Sequence, residues 1–136
     1  MAVMTDEVKA LFESAESMVL CTASSNLGPN GAAIGMRWVV DDETVYISDQ
    51  FFRKTLANLK ESPKVAIAFW TGRDAFQIHG TARYVCEGDE FAAQKELADA
   101  KFAAKGLPIT AKGGCFISVD AIYQMASGPS AGERIA

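Results

Sequence analysis

The sequence predicts a mainly β fold, a small closed antiparallel barrel with helices covering its ends. Three observations carry this. Strands outnumber helices, in the order helix, three strands, short helix, two strands, helix, strand. The strands are joined mostly by tight polar turns, whereas a parallel doubly wound sheet needs a helix after each strand. The chain has 136 residues, 49% hydrophobic and 22% charged, which is one domain able to bury a core without disulfides or metal. No internal repeat is visible, so residues 1–136 read as a single domain.

Thr5 to about Ser17 reads as a helix. Thr5 can cap it, Asp6 and Glu7 suit its positive end, and Val8, Leu11, Phe12 and Ala15 form one apolar stripe. Met18 to Ser24 is strand-like, and Asn26 to Gly31 is a dense turn signal. Ala32 to Val40 reads as a second strand, and Asp41 to Glu43 as a polar turn. Thr44 to Ser48 is a third strand, with Val45, Tyr46 and Ile47 favouring extended backbone. Arg53 to about Glu61 is a short helix that buries Leu56 and Leu59 and stops before Pro63.

Val65 to Trp70 is a continuous apolar strand. Ala75 to Val85 alternates, with Phe76, Ile78, Gly80, Ala82 and Tyr84 on one face and Gln77, His79, Thr81 and Arg83 on the other. Gly88 opens a third helix to about Ala104, ended by Gly106 and Pro108. Cys115 to Tyr123 is the last strand. The tail from Ser127 to Ala136 is expected to be loose or to dock on a partner.

Composition excludes several functions. A net charge of -4 argues against a nucleic-acid coat, which needs a broad positive surface. It leaves room for one small basic pocket. A single histidine cannot form a multi-His metal site within one subunit. Cys21, Cys86 and Cys115 are scattered and odd in number, so they read as small hydrophobes rather than a disulfide or zinc framework. The N-terminal residues lack a secretory pattern and no apolar run reaches about 20 residues, so a cytoplasmic protein away from membranes is expected. There is no G-x-G-x-x-G, no P-loop and no G-x-S-x-G, and no carboxylate pair is spaced for acid–base work. A bound cofactor would have to carry any reaction.

One feature breaks a local rule. Arg53 and Lys54 occupy the first turn of the short helix, where cations meet the positive pole of the helix dipole at a cost of roughly 0.3–1 kcal/mol each. Helix N–H groups, two cations and the Thr55 hydroxyl converge there, which is what a phosphate monoester requires. A solvated basic pair would look the same. Phe51 and Phe52, just before it, read as a seal for the barrel end. Met36, Arg37 and Trp38 read either as alternating packing and solvent positions or as the flank of a flat ring. His79 reads as solvent-facing, without an orienting partner.

The segment RKTLANLKESPKVAIAFW, preceded by TVYIS and followed by FQIHGTARYV and GDEF, resembles the pyridoxamine 5'-phosphate oxidase-like FMN-binding split-barrel proteins, closest to their small bacterial FMN-binding members. The resemblance covers about Met18 to Glu96, and more loosely reaches Tyr123. It implies a six-stranded antiparallel split barrel and a homodimer with FMN at the interface. It implies that Lys54 and Thr55, with Arg53 beside them, bind the FMN phosphate. Met36, Arg37 and Trp38 would line the flavin, Ile47, Ser48 and Asp49 would present backbone to its ring, and Gln77 would match a family glutamine at the flavin.

The implied function is an oxidoreductase passing electrons or hydride through FMN to a small-molecule or protein redox partner. The alternatives are a non-catalytic flavin-binding or electron-carrier protein, a deazaflavin-dependent reductase, or an empty structural barrel. True pyridoxamine 5'-phosphate oxidases are longer and end in an Arg-Leu-x-Pro type segment. Here SGPSAGERIA supplies Arg134 without that motif, so oxidation of pyridoxamine 5'-phosphate is not expected.

Overall fold

The computed structural model describes residues 1–136. The elements are α1 (Asp6–Ser14), β1 (Ser17–Ser24), β2 (Gly28–Ala33), β3 (Arg37–Asp41), β4 (Thr44–Asp49), α2 (Lys54–Glu61), β5 (Lys64–Thr71), β6 (Asp74–Val85), α3 (Asp89–Ala104) and β7 (Gly113–Gln124). Thr5 caps α1 by accepting the Val8 N–H at 3.2 Å. The helix stops short of Ser17, because Ala15 is already extended and Ser17 pairs with Trp70 in the sheet.

All strand pairs are antiparallel, in the order β2-β1-β5-β6-β7-β4-β3. The two edge strands, β2 and β3, are consecutive in the chain and joined only by residues 34–36. Laid flat, six strand spacings of about 4.8 Å would separate them by roughly 29 Å. Four extended steps of chain reach only about 14 Å. The sheet therefore has to curl until its edges nearly meet. They do not pair, since β2 bonds only to β1 and β3 only to β4, so the barrel keeps one open seam.

The sheet has seven strands rather than six. The segment expected as one strand, Ala32 to Val40, is shared between β2 and β3 and turns from one edge to the other around Gly35. The expected turn also shrinks. Gly28, at φ +72°, closes a tight hairpin, and residues 28–33 pair with β1. Pro29 is tolerated because an edge strand does not need its missing N–H.

Inside the barrel, Leu20, Ile47, Ile67, Phe69, Ile78 and Ile117 are fully buried. α1 closes one side with Val8 and Phe12, whose ring meets Phe69 edge-on at 5.4 Å. A second cluster lies beneath α3, formed by Met36, Trp38, Tyr46, Ala98, Ala111 and Phe116. β6 alternates as expected, with Phe76, Ile78 and Gly80 buried and His79 and Arg83 exposed.

The tail is not loose. Residues 132–136 fold back along the end of β7, with Ile135 N–H to Ile122 O and Gln124 N–H to Glu133 O both 2.8 Å. Of the cysteines, Cys115 is buried and Cys21 half-buried, but Cys86 lies just past β6 and is exposed. No helix is long and apolar enough to cross a membrane.

Candidate functional site

α2 begins without a cap. Arg53 makes no side-chain capping hydrogen bond, and the first turn holds no acid. The first helical bond is Ala57 N–H to Arg53 O, so the N–H groups of Lys54, Thr55 and Leu56 have no partner in the protein. Arg53 and Lys54 are exposed, and neither makes an ion pair or a side-chain hydrogen bond. Unspent donors and unpaired cations at one helix start suit a tetrahedral dianion.

Beneath this turn runs a buried polar network. Thr55 is 4% exposed and its Oγ1 accepts from Asn30 Nδ2 at 3.0 Å. The same nitrogen donates to Thr22 Oγ1 at 3.3 Å, which also accepts from Asn58 Nδ2 at 3.1 Å. Asn58 is fully buried. Its amide is oriented by Gly28 O, an acceptor only, at 3.2 Å, and its Oδ1 accepts from Ser24 Oγ at 2.7 Å. This network ties α2 to the β1–β2 hairpin. Composition-level reading missed it, although Thr55 and Asn58, three apart on the face that also carries Leu59, were a legible signal.

The loop from β4 to α2 is pinned from both sides. The buried Asp49 carboxylate accepts the Phe52 N–H at 2.8 Å through Oδ1 and the Tyr84 hydroxyl through Oδ2. Lys112 holds the other side, with its N–H to Asp49 O at 2.9 Å and Nζ to Phe52 O at 3.2 Å. Gln50 Nε2 donates to Ser48 Oγ. Only Phe52 seals the barrel end as expected of both phenylalanines; Phe51 is 75% exposed.

Between this loop and residues 32–35 lies a cleft of about 130 Å³, which Ser48 and Thr55 also line. None of its lining residues titrates near neutral pH. A larger trough of about 560 Å³ runs over β1, β2 and β5, lined by Cys21, Ala66 and His79 and also by Thr22 and Asn30 of the polar network.

The other expected residues are dispersed over the fold. Met36 and Trp38 point under α3, where Trp38 stacks on Tyr46 at 5.1 Å and donates Nε1–H to Gln94 Oε1 at 2.9 Å. Arg37 caps the end of α1, donating to Phe12 O at 3.0 Å and Ala15 O at 2.6 Å. Burial lowers the pKa of its guanidinium, and Glu13 partly offsets this. Backbone still links this segment to the site, since Ser48 N–H donates to Met36 O at 3.0 Å. Ile47 is buried inside the barrel. Gln77 sits on β6, its Oε1 2.8 Å from His79 Nε2, with β5 between it and the β1–β2 hairpin that holds α2.

A curled antiparallel barrel with an open seam and a basic helix start beside it defines a split-barrel protein. The pyridoxamine 5'-phosphate oxidase family matches residues 4–122, and the chain belongs to that family. An uncharacterized protein of Methanocaldococcus jannaschii is 36% identical, covering 98% of this chain and 88% of that protein. Among solved structures, HupZ of group A Streptococcus superposes with a TM-score of 0.76 at 25% identity, covering 95% of this chain and 99% of that one. An FMN-binding protein of Syntrophomonas wolfei shares the fold, with a TM-score of 0.71 at 22% identity over 89% of this chain and 85% of that one.

Proposed function

We propose that this protein is a cytoplasmic flavoprotein, a single-domain homodimer that binds FMN at its interface and serves as an oxidoreductase for a small-molecule or protein redox partner. The observation that carries the reading is the start of α2, with its open N–H groups, the buried Thr55 hydroxyl and two unpaired cations. Lys54, Arg53 and Thr55 hold the phosphate. Family membership supplies the expectation that the ligand behind that phosphate is a flavin. When bound, FMN supplies reversible one- and two-electron chemistry.

The chain's own residues bind and orient. Backbone at Ile47, Ser48 and Asp49, with residues 36–38 at the start of the neighbouring strand β3, would flank the ring. Gln77, remote from α2 in its own protomer, would contact a flavin only if the dimer brings it to the partner's site. Three free cysteines suit a reducing compartment.

A second reading, an electron carrier without a dedicated substrate, is favoured by one observation: the cleft offers no side chain for acid–base work. Purified protein is expected to be yellow, and mass spectrometry of the released cofactor to give FMN. Colourless protein that takes up no added FMN, or release of a deazaflavin, would overturn the FMN assignment. Turnover with a defined electron donor separates enzyme from carrier.

A further inference from the structure

Asn30 stands opposite Thr22 in the β1–β2 register and reaches the start of α2 through a single nitrogen. Thr22 Oγ1 takes two donors, one from Asn30 and one from Asn58, and Asn58 is itself locked by the Gly28 carbonyl. Thr55 Oγ1 takes one donor, from Asn30, and its own proton has no acceptor in the protein although the residue is 96% buried by its 4% exposure. A hydroxyl has one proton and two lone pairs. With the Asn30 amide bonded to the oxygen, the proton is turned away from β2.

We infer that Asn30 is a positioning residue for the ligand phosphate, because its amide donates to Thr55 Oγ1 and so presents the Thr55 hydroxyl as a hydrogen-bond donor at the start of α2. This rests on the phosphate reading above. It adds that selectivity for a phosphorylated flavin over the bare ring is set partly on β2, outside the first turn of the helix. Asn30→Asp keeps the shape and removes the donor. An acceptor-only carboxylate captures the Thr55 proton and leaves a lone pair facing the phosphate.

The test is a double-mutant cycle read by FMN and riboflavin affinity, using Asn30→Asp, Thr55→Val and the pair. With Thr55 present, Asn30→Asp is expected to weaken FMN by roughly 30-fold or more, the scale of a charge-assisted hydrogen bond plus repulsion. With Val at position 55, only the repulsion remains, and the loss shrinks to about fivefold or less. Riboflavin affinity stays level throughout. Equal losses on both backgrounds, or a parallel loss of riboflavin, would overturn the positioning role. Lys54→Ala separates this from the underlying reading, with an expected FMN loss of roughly 10- to 100-fold. If Lys54→Ala leaves FMN affinity unchanged, the phosphate reading itself falls. If it weakens FMN while the cycle is additive, only the role of Asn30 falls.

Discussion

The hydroxyl of Tyr84 donates to the buried carboxylate of Asp49, and Gly113 leaves the space in which that hydroxyl lies. A Cβ at Gly113 would stand 2.1 Å from the Tyr84 oxygen. The next residue repeats the arrangement with the other tyrosine, since a Cβ at Gly114 would stand 1.9 Å from the Tyr46 oxygen. The two hydroxyls differ in one respect. Tyr84 is bonded to the residue that shapes the loop into α2, whereas Tyr46 is buried without a partner.

Tyr84→Phe removes one of two donors from the fully buried Asp49. An under-satisfied buried carboxylate costs about 1–3 kcal/mol. A loss of that size is expected in chemical denaturation of the cofactor-free protein. No change would mean that the Phe52 N–H alone satisfies Asp49.

Tyr46→Phe is expected to act the opposite way. The ring keeps its contacts with Trp38 and Phe116, while an unpartnered buried hydroxyl is removed. Stability is expected to hold or rise by up to about 1 kcal/mol. A clear loss in the same denaturation experiment would show that the hydroxyl has a partner after all.

Alkaline pH is expected to destabilise the fold. Burial pushes the Cys115 thiol up from 9.0 to about 12, helped by the Asp49 charge. Burial also raises the pKa of Tyr46 and Tyr84, and for Tyr84 the bond to Asp49 adds to the rise. Each group stays neutral in the fold after the unfolded chain has begun to lose its proton. The unfolded state then binds fewer protons, so stability falls as pH rises. The contribution of Cys115 is complete below pH 9.0 and drains away towards pH 12. Thermal melts across that range should decline, and Cys115→Ala should flatten the slope. A slope identical in both proteins would remove Cys115 from the account.

Periodicity made most elements legible. The alternation of β6 and the apolar stripe of α1 both appear where expected, because each reports one buried face. The start of β2 was hidden, because Gly28 and Pro29 signal a turn equally well in a loop and on an edge strand. The β2–β3 break was hidden because a lone Gly35 does not by itself end a strand. At the candidate site, Arg53, Lys54 and Thr55 stood out by breaking a local rule within one helical turn. The partners of Thr55 did not, because Asn30 and Thr22 come from the β1–β2 hairpin and meet it only after the sheet curls. Trp38 was only half legible: the sequence left packing and a ring-binding flank open, and its stacking on Tyr46 and bond to Gln94 come from β4 and α3, outside its own strand.

The size of the seam cleft bears on assembly. At about 130 Å³ it is well below the ~300–1,000 Å³ of ordinary ligand pockets. Under the proposed function, one protomer would offer the phosphate anchor and a shallow floor, and a second copy would supply the enclosure of the flavin ring. Phe51 lines that cleft, is 75% exposed, and lies between the stretch proposed for the ring, Ile47 to Asp49, and the cations Arg53 and Lys54. A singly exposed aromatic is ordinary, but this one lines the cleft, where its ring face is free to pack on a ligand or partner. Phe51→Asp should therefore weaken dimerisation and FMN binding together, each by about tenfold or more, as loss of an interface aromatic does. Sedimentation of wild type with and without FMN should show a dimer that tightens when the flavin is added, because a ligand bound by two copies stabilises their association. A monomer that binds FMN with undiminished affinity would place the whole flavin site within one chain.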